Sequence, residues 1–147
     1  DEYGNNALIW SADKGQTDAL QWILDHIRIN TDTDTTTDTT TNTDINARGY
    51  LGNTALGRAA RGGHVACVQL LMDRADINPN ICNEKSQYPL HFAAFKKHLP
   101  VVKVMLGSDK CDTTVVDRKG RTPAEDTSVE EIRDCILRYR ETGKVEG

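Results

Sequence analysis

Residues 52–78 read GNTALGRAARGGHVACVQLLMDRADIN, and their order predicts a helix, a tight turn, a second helix and a loop. Thr54 stands ahead of an apolar run, where its hydroxyl can accept the orphan amides of a first helical turn. Gly62 and Gly63 end that helix. Val65, Val68, Leu71 and Met72 then recur at the helical period as one apolar stripe, and Asp76, Ile77 and Asn78 close the unit with turn residues.

The unit recurs. With Gly52 as the marker, Gly4, Ser86 and Gly120 occupy the same place, at spacings of 48, 34 and 34 residues. Leu8, Leu56, Leu90 and Ala124 follow each marker by four residues, and Ala12, Ala60, Ala94 and Ser128 by eight. A period of about 33 residues with this content is the signature of stacked helical repeats. The longer first spacing holds an insertion, and residues 31–44, TDTDTTTDTTTNTD, are nine Thr, four Asp and one Asn. With no apolar side chain and poor helix formers throughout, that tract is expected to be a loop.

The pattern resembles the ankyrin repeat over almost the whole chain. The family's run of Thr-Pro-Leu-His, paired alanines, Gly-His and a Val-Leu-Leu helix is matched by D1EYGNNALIWSADKG, by the 52–78 unit, by YPLHFAAFKKHLPVVKVML and by D117RKGRTPAED. The resemblance implies an all-α repeat solenoid: helix-turn-helix units joined by finger-like hairpin loops. One domain over residues 1–147 is expected, with repeats near 1–30, 49–80, 83–114 and 117–141. Ser86 and Lys97 replace glycines of the pattern at turns that favour positive φ. Pro100 falls in the first turn of a helix, where its missing amide costs little. Leu20, Ile23, Leu24 and Ile27 form the packed stripe of the first repeat, with Trp22 read as packing beside them. In the last helix Val129, Ile132, Ile136 and Leu137 are read as inward-facing, opposite a charged outer face.

Composition narrows the function. The net charge of −4 argues against a whole-surface affinity for nucleic acid. Cys67, Cys82, Cys111 and Cys135 show no metal-binding or disulfide-framework spacing, which points to a cytoplasmic or nuclear setting. No apolar run reaches the length of a membrane span, and the first residues do not read as a signal peptide. His64, His98 and His91 match family positions whose imidazoles hydrogen-bond loop backbone, and His26 is expected to be exposed on a helix. No zinc-protease, nucleophile-elbow or phosphate-loop motif occurs. No enzyme activity, cofactor or metal is expected.

The resemblance places a binding surface on the fingers and first helices of the concave side. Carried over residue by residue, it comprises Tyr3, Trp10 and Lys14; Tyr50, Leu51, Asn53, Arg58 and Arg61; Lys85, Gln87, Phe92, Phe95 and Lys96; and Arg118, Lys119 and Arg121. These positions are rich in cations and aromatics within an acidic chain, a combination suited to an acidic or phosphorylated protein segment. The expected partner is thus another protein, bound by a monomer. Two other readings are nucleic acid in the same groove and a regulatory or scaffold role within a larger enzyme. Thr31, Thr35 and Thr41 each precede an Asp by three residues, which resembles the target pattern of acidophilic kinases.

Overall fold

The computed structural model describes residues 7–26, 45–74, 77–108 and 110–143. Their secondary structure is helical, with no strand among them: α1 (Ala7–Asp13), α2 (Thr17–His26), α3 (Ala55–Gly62), α4 (Val65–Met72), α5 (Pro89–Phe95), α6 (Leu99–Gly107) and α7 (Glu130–Thr142). The first helices α1, α3 and α5 pack side by side in one layer, and α4, α6 and α7 follow one another in a second layer behind them, with α2 against α4. The result is an all-α repeat solenoid. Tyr3, Ile27, Asp76 and the Thr/Asp tract with Thr31, Thr35 and Thr41 lie outside the described residues, as do the side chains of His26 and Tyr50.

The same local chemistry closes each first helix. Thr54 Oγ1 accepts the Gly57 N–H at 3.1 Å and starts α3. At its end Gly63 N–H bonds Ala60 O and His64 N–H bonds Ala59 O, the paired bonds of a left-handed cap. Gly15 and Gln16 make the equivalent bonds to Ala12 and Ser11, and Lys97 and His98 make them to Ala94 and Ala93. The cap residues have φ of +69° at Gly15, +72° at Gly63 and +66° at Lys97. Only the last carries a side chain, and that conformation costs an L-residue about 1 kcal/mol. Lys97→Gly should therefore stabilise the chain by about 1 kcal/mol, a rise of about 3 °C in Tm, measured by thermal unfolding. An unchanged or lowered Tm would show that Lys97 is not strained.

Finger loops repeat just as closely. Gly52, Ser86 and Gly120, all at positive φ, donate to the carbonyls of Gly49, Asn83 and Asp117. Gly49, Asn83 and Asp117 in turn donate to Asn53, Gln87 and Arg121. Earlier in the same loops Asn46 Oδ1 accepts Asn78 N–H at 2.7 Å, and Asn80 Oδ1 accepts Asp112 N–H at 2.8 Å. Two successive loop-to-loop links are thus made through a side-chain amide.

The core runs the length of the stack. Leu8, Leu56, Leu90 and Ala124 are buried, as are Ala12, Ala60 and Ala94, so the small residues admit close helix contact where the large ones fill space. Val68, Leu71 and Met72 of α4, Val102, Met105 and Leu106 of α6, and Ile132 and Ile136 of α7 complete it. Three features differ from the sequence expectations. Trp22 is 61% exposed rather than packed, because it lies two residues from both Leu20 and Leu24, about 200° around the helix from each at 100° per residue. Leu137 is 40% exposed, one step around α7 from the buried Ile136. Repeat four has no first helix: Pro123–Asp126 form a turn in which Glu125 and Asp126 N–H both bond Thr122 O, and Ser128 replaces the small apolar residue. Arg133 of α7 covers that turn by donating to Ala124 O and Thr127 O.

Candidate functional site

At the finger edge, several residues expected to face a partner instead hold the fingers together. Asn83 is buried and fully used: its Nδ2 donates to Asn53 Oδ1 and Gln87 Oε1, both at 3.0 Å, and its Oδ1 accepts Lys85 and Gln87 N–H. Asn53 is therefore a buried partner of the next finger, not a contact residue. Leu51, exposed at φ +57°, passes its carbonyl to Glu84 N–H at 2.9 Å. Arg118 Nη2 donates to Glu84 O at 2.7 Å. Lys85 and Lys119 stay exposed at the tips.

Arg121 lies between two carboxylates, with Nη2 3.1 Å from Asp117 Oδ2 and 3.3 Å from Asp126 Oδ1. Burial acts upward on Asp117, but the N–H groups of Arg121 and Lys119 and the Arg121 guanidinium hold its carboxyl below the usual carboxylate range. Asp126 goes the other way. Burial raises it against the pull of Arg121 and His91, and its buried Oδ1 has no hydrogen-bond donor. Because the folded state favours the protonated form, Asp126 lowers stability as pH rises from the unfolded aspartate pKa through the raised folded value, and the loss persists above it. Asp126→Asn should raise Tm at neutral pH and leave it unchanged near pH 3, about one unit below the free aspartate value. A lower Tm at neutral pH would show that the ion pair with Arg121 outweighs the burial.

Along the first helices the expected residues also divide. Trp10 is 44% exposed, with Lys14 Nζ 5.1 Å from its ring centre. Phe95 is 54% exposed, with Lys96 Nζ at 5.5 Å. Phe92, by contrast, is 8% exposed and belongs to the core, being one of the residues α5 turns toward its neighbours. Arg58 is an internal cation: its side chain is 13% exposed and its Nη1 lies 3.5 Å from Asp13 Oδ1 of the preceding repeat. Arg61 is exposed at the C-terminal end of α3.

The cations thus fall on two rims rather than one patch. Lys85 and Lys119 lie on the fingers, ahead of the first helices; Lys14, Arg61 and Lys96 lie at their far ends, by the tight turns. About eight residues of helix, or about 12 Å, separate the rims. Lys97, read in the sequence only as a residue standing where the pattern has a turn glycine, is exposed on the turn rim and was not among the expected surface residues.

The remaining chemistry is structural. His64, His98 and His91 each place Nε2 on a backbone carbonyl, of Asp13, Arg61 and Arg121 respectively, so each ring N–H donates. Among the described residues no cluster of three His, Cys, Asp or Glu could hold a metal ion. The Cys111 thiol is pushed up to about 12 by burial, and burial also raises Cys67, the reverse of an activated nucleophile. No helix among the described residues is long and apolar enough to cross a membrane. A hollow of about 510 Å³ between α4 and α6 is lined by Met72, Lys103 and Lys110 among others.

Comparison with known proteins agrees with this architecture. The family model for ankyrin repeats, in three copies, matches residues 34–117, more than half of the chain. A protein of Rickettsia bellii (strain RML369-C), described as an ankyrin repeat protein, is 30% identical over 80 residues, 54% of this chain and 44% of its own length. The chain therefore spans less than half of that relative. Members of the family generally mediate protein–protein interaction. With the helix pairs, left-handed caps and finger turns repeating in the matched register, the chain belongs to the ankyrin-repeat family.

Proposed function

We propose that this chain is a non-enzymatic interaction module whose concave side binds an acidic segment of another protein. The observation that carries this reading is the division of the cations. Arg58, Arg118 and Arg121 are spent on internal contacts, whereas Arg61, Lys85, Lys96 and Lys119 are exposed and form no ion pair among the described residues. Exposed cations beside half-exposed aromatics suit a carboxylate-bearing segment, because the rings supply apolar area while the charges set orientation. Tyr50 and Gln87 border the finger rim by sequence, and phosphorylation of a partner would strengthen the same attraction. A cytoplasmic or nuclear setting and a monomeric state accord with this role.

The test is affinity capture from nuclease-treated cell lysate with the native chain and with a variant carrying Glu at Arg61, Lys85, Lys96 and Lys119. Circular dichroism would first establish that the variant folds. Proteins with acidic tracts should be captured by the native chain and by a Lys103→Glu control, and lost with the fourfold variant. Capture of the same proteins by all three chains would defeat the proposal.

A further inference from the structure

Three tight turns stand in a row along one edge of the solenoid, at residues 13–17, 61–65 and 95–99. The next repeat's imidazole locks each of the first two to its neighbour. His64 Nε2–H donates to Asp13 O and His98 Nε2–H to Arg61 O, both at 3.1 Å. The rings lie so close over the turns that a Cβ on Gly15 would fall 2.6 Å from His64 Nδ1, and one on Gly63 2.7 Å from His98 Nδ1. Only glycine fits beneath them. Side chains projecting from these turns therefore hold fixed spacing from repeat to repeat.

The charges along this edge are mostly of one sign. Lys14, Arg61, Lys96 and Lys97 are all exposed there. The turns of repeats two and three contain no acid. In repeat one, Asp13 is paired to Arg58, and Asp18 sits exposed in the first turn of α2. Beyond the third turn the sign reverses, since Glu130 and Glu131 open α7. The half-exposed rings of Trp10 and Phe95 stand at the two ends of the basic run, each with its own lysine over it. Neighbouring helices pack about 8–10 Å apart. Trp10 on α1 and Phe95 on α5, two helices apart, are thus separated by about 20 Å, the span of about six residues of extended chain.

We infer that this turn rim, rather than the finger rim, is the principal docking surface. Its occupant is an extended protein segment with an apolar residue at each end of an acidic stretch about six residues long. The apolar ends rest on Trp10 and Phe95, the carboxylates between them face Arg61, Lys96 and Lys97, and Glu130 with Glu131 stops an acidic chain from continuing past repeat three. This inference rests on the acidic-segment reading above and adds to it the location and the spacing.

The experiment is selection of a displayed library of random twelve-residue peptides on the immobilised native chain, followed by fluorescence-polarisation titration of the synthetic consensus peptide. The expected consensus is rich in Asp and Glu, with two apolar residues about six positions apart. Phe95→Ala, and separately Lys96→Glu with Lys97→Glu, should weaken the peptide at least tenfold, several times more than Lys85→Glu with Lys119→Glu does. All these side chains are exposed, and unchanged circular dichroism would accompany each titration; Lys97→Gly with Lys96→Gln is a second, gentler pair. Loss of binding with the finger pair but not with the turn pair would overturn the turn-rim assignment and leave the acidic reading standing. A consensus without acidic residues would overturn both. Equal displacement of the peptide by an unrelated single-stranded DNA oligomer would also overturn both, in favour of nucleic acid.

Discussion

Leu90→Ala is expected to cost about 2–5 kcal/mol of stability, the range for deleting a fully buried leucine. Leu90 is 2% exposed in α5, the middle of the stack, with the first helix of repeat two on one side and the turn of repeat four on the other. The cavity cannot collapse easily, because its neighbours Ala93 and Ala94 are already small and the helix ends are fixed by hydrogen bonds. In a repeat array each unit is held mainly by its neighbours, so the damage should not remain local. Urea unfolding followed by circular dichroism should show a large fall in midpoint and a less cooperative transition than Leu8→Ala, at the first described helix, produces. A loss below about 1 kcal/mol would mean that α5 is not the keystone its burial implies.

His91→Leu should come next in effect, at about 2–4 kcal/mol, because it keeps the volume and removes both hydrogen bonds of a buried ring. His91 is 1% exposed. Its Nδ1 accepts Tyr88 N–H at 3.3 Å and its Nε2–H donates to Arg121 O at 2.8 Å, so one side chain both starts α5 and ties down the turn that replaces the missing helix of repeat four. His98→Leu is the comparison. Its bond to Arg61 O lies at the surface, where water can take the place of the ring, and it should cost less than about 1 kcal/mol. Amide hydrogen exchange should quicken through residues 117–127 in His91→Leu and not in His98→Leu. Equal destabilisation by the two would remove His91 from that role.

Much of the fold was legible because it depends on local chemistry. Thr54 as a cap, Gly63 as a stop and Pro100 in a first turn follow from what each residue can do within a few neighbours, and the structure has each as read. The backbone-bonding histidines, whose carbonyl partners lie 51, 37 and 30 residues away, were legible only through the family resemblance. The candidate site could be read as a composition of cations and aromatics but not as geometry. Which cation is spent depends on contacts between repeats: Arg58 with Asp13, 45 residues away, and Arg118 with the Glu84 carbonyl, 34 away. No pattern along one repeat reveals such pairs. Asn53 was misplaced for the same reason, since its partner Asn83 comes from the next finger. Phe92 was misplaced because a seven-residue helix has too few turns to fix which face is buried from periodicity alone.

The most direct test of the central claim, that the exposed rim cations read an acidic protein segment, is a calorimetric titration. One acidic segment taken from a captured partner would be added as a synthetic peptide to the native chain and to the variant with Glu at Arg61, Lys85, Lys96 and Lys119. Exposed ion pairs contribute about 0.2–1 kcal/mol each. Reversing four cations should therefore weaken binding at least tenfold, about 1.4 kcal/mol, with the native affinity falling as salt is raised. Equal affinity for the two chains, unaffected by salt, would contradict the claim.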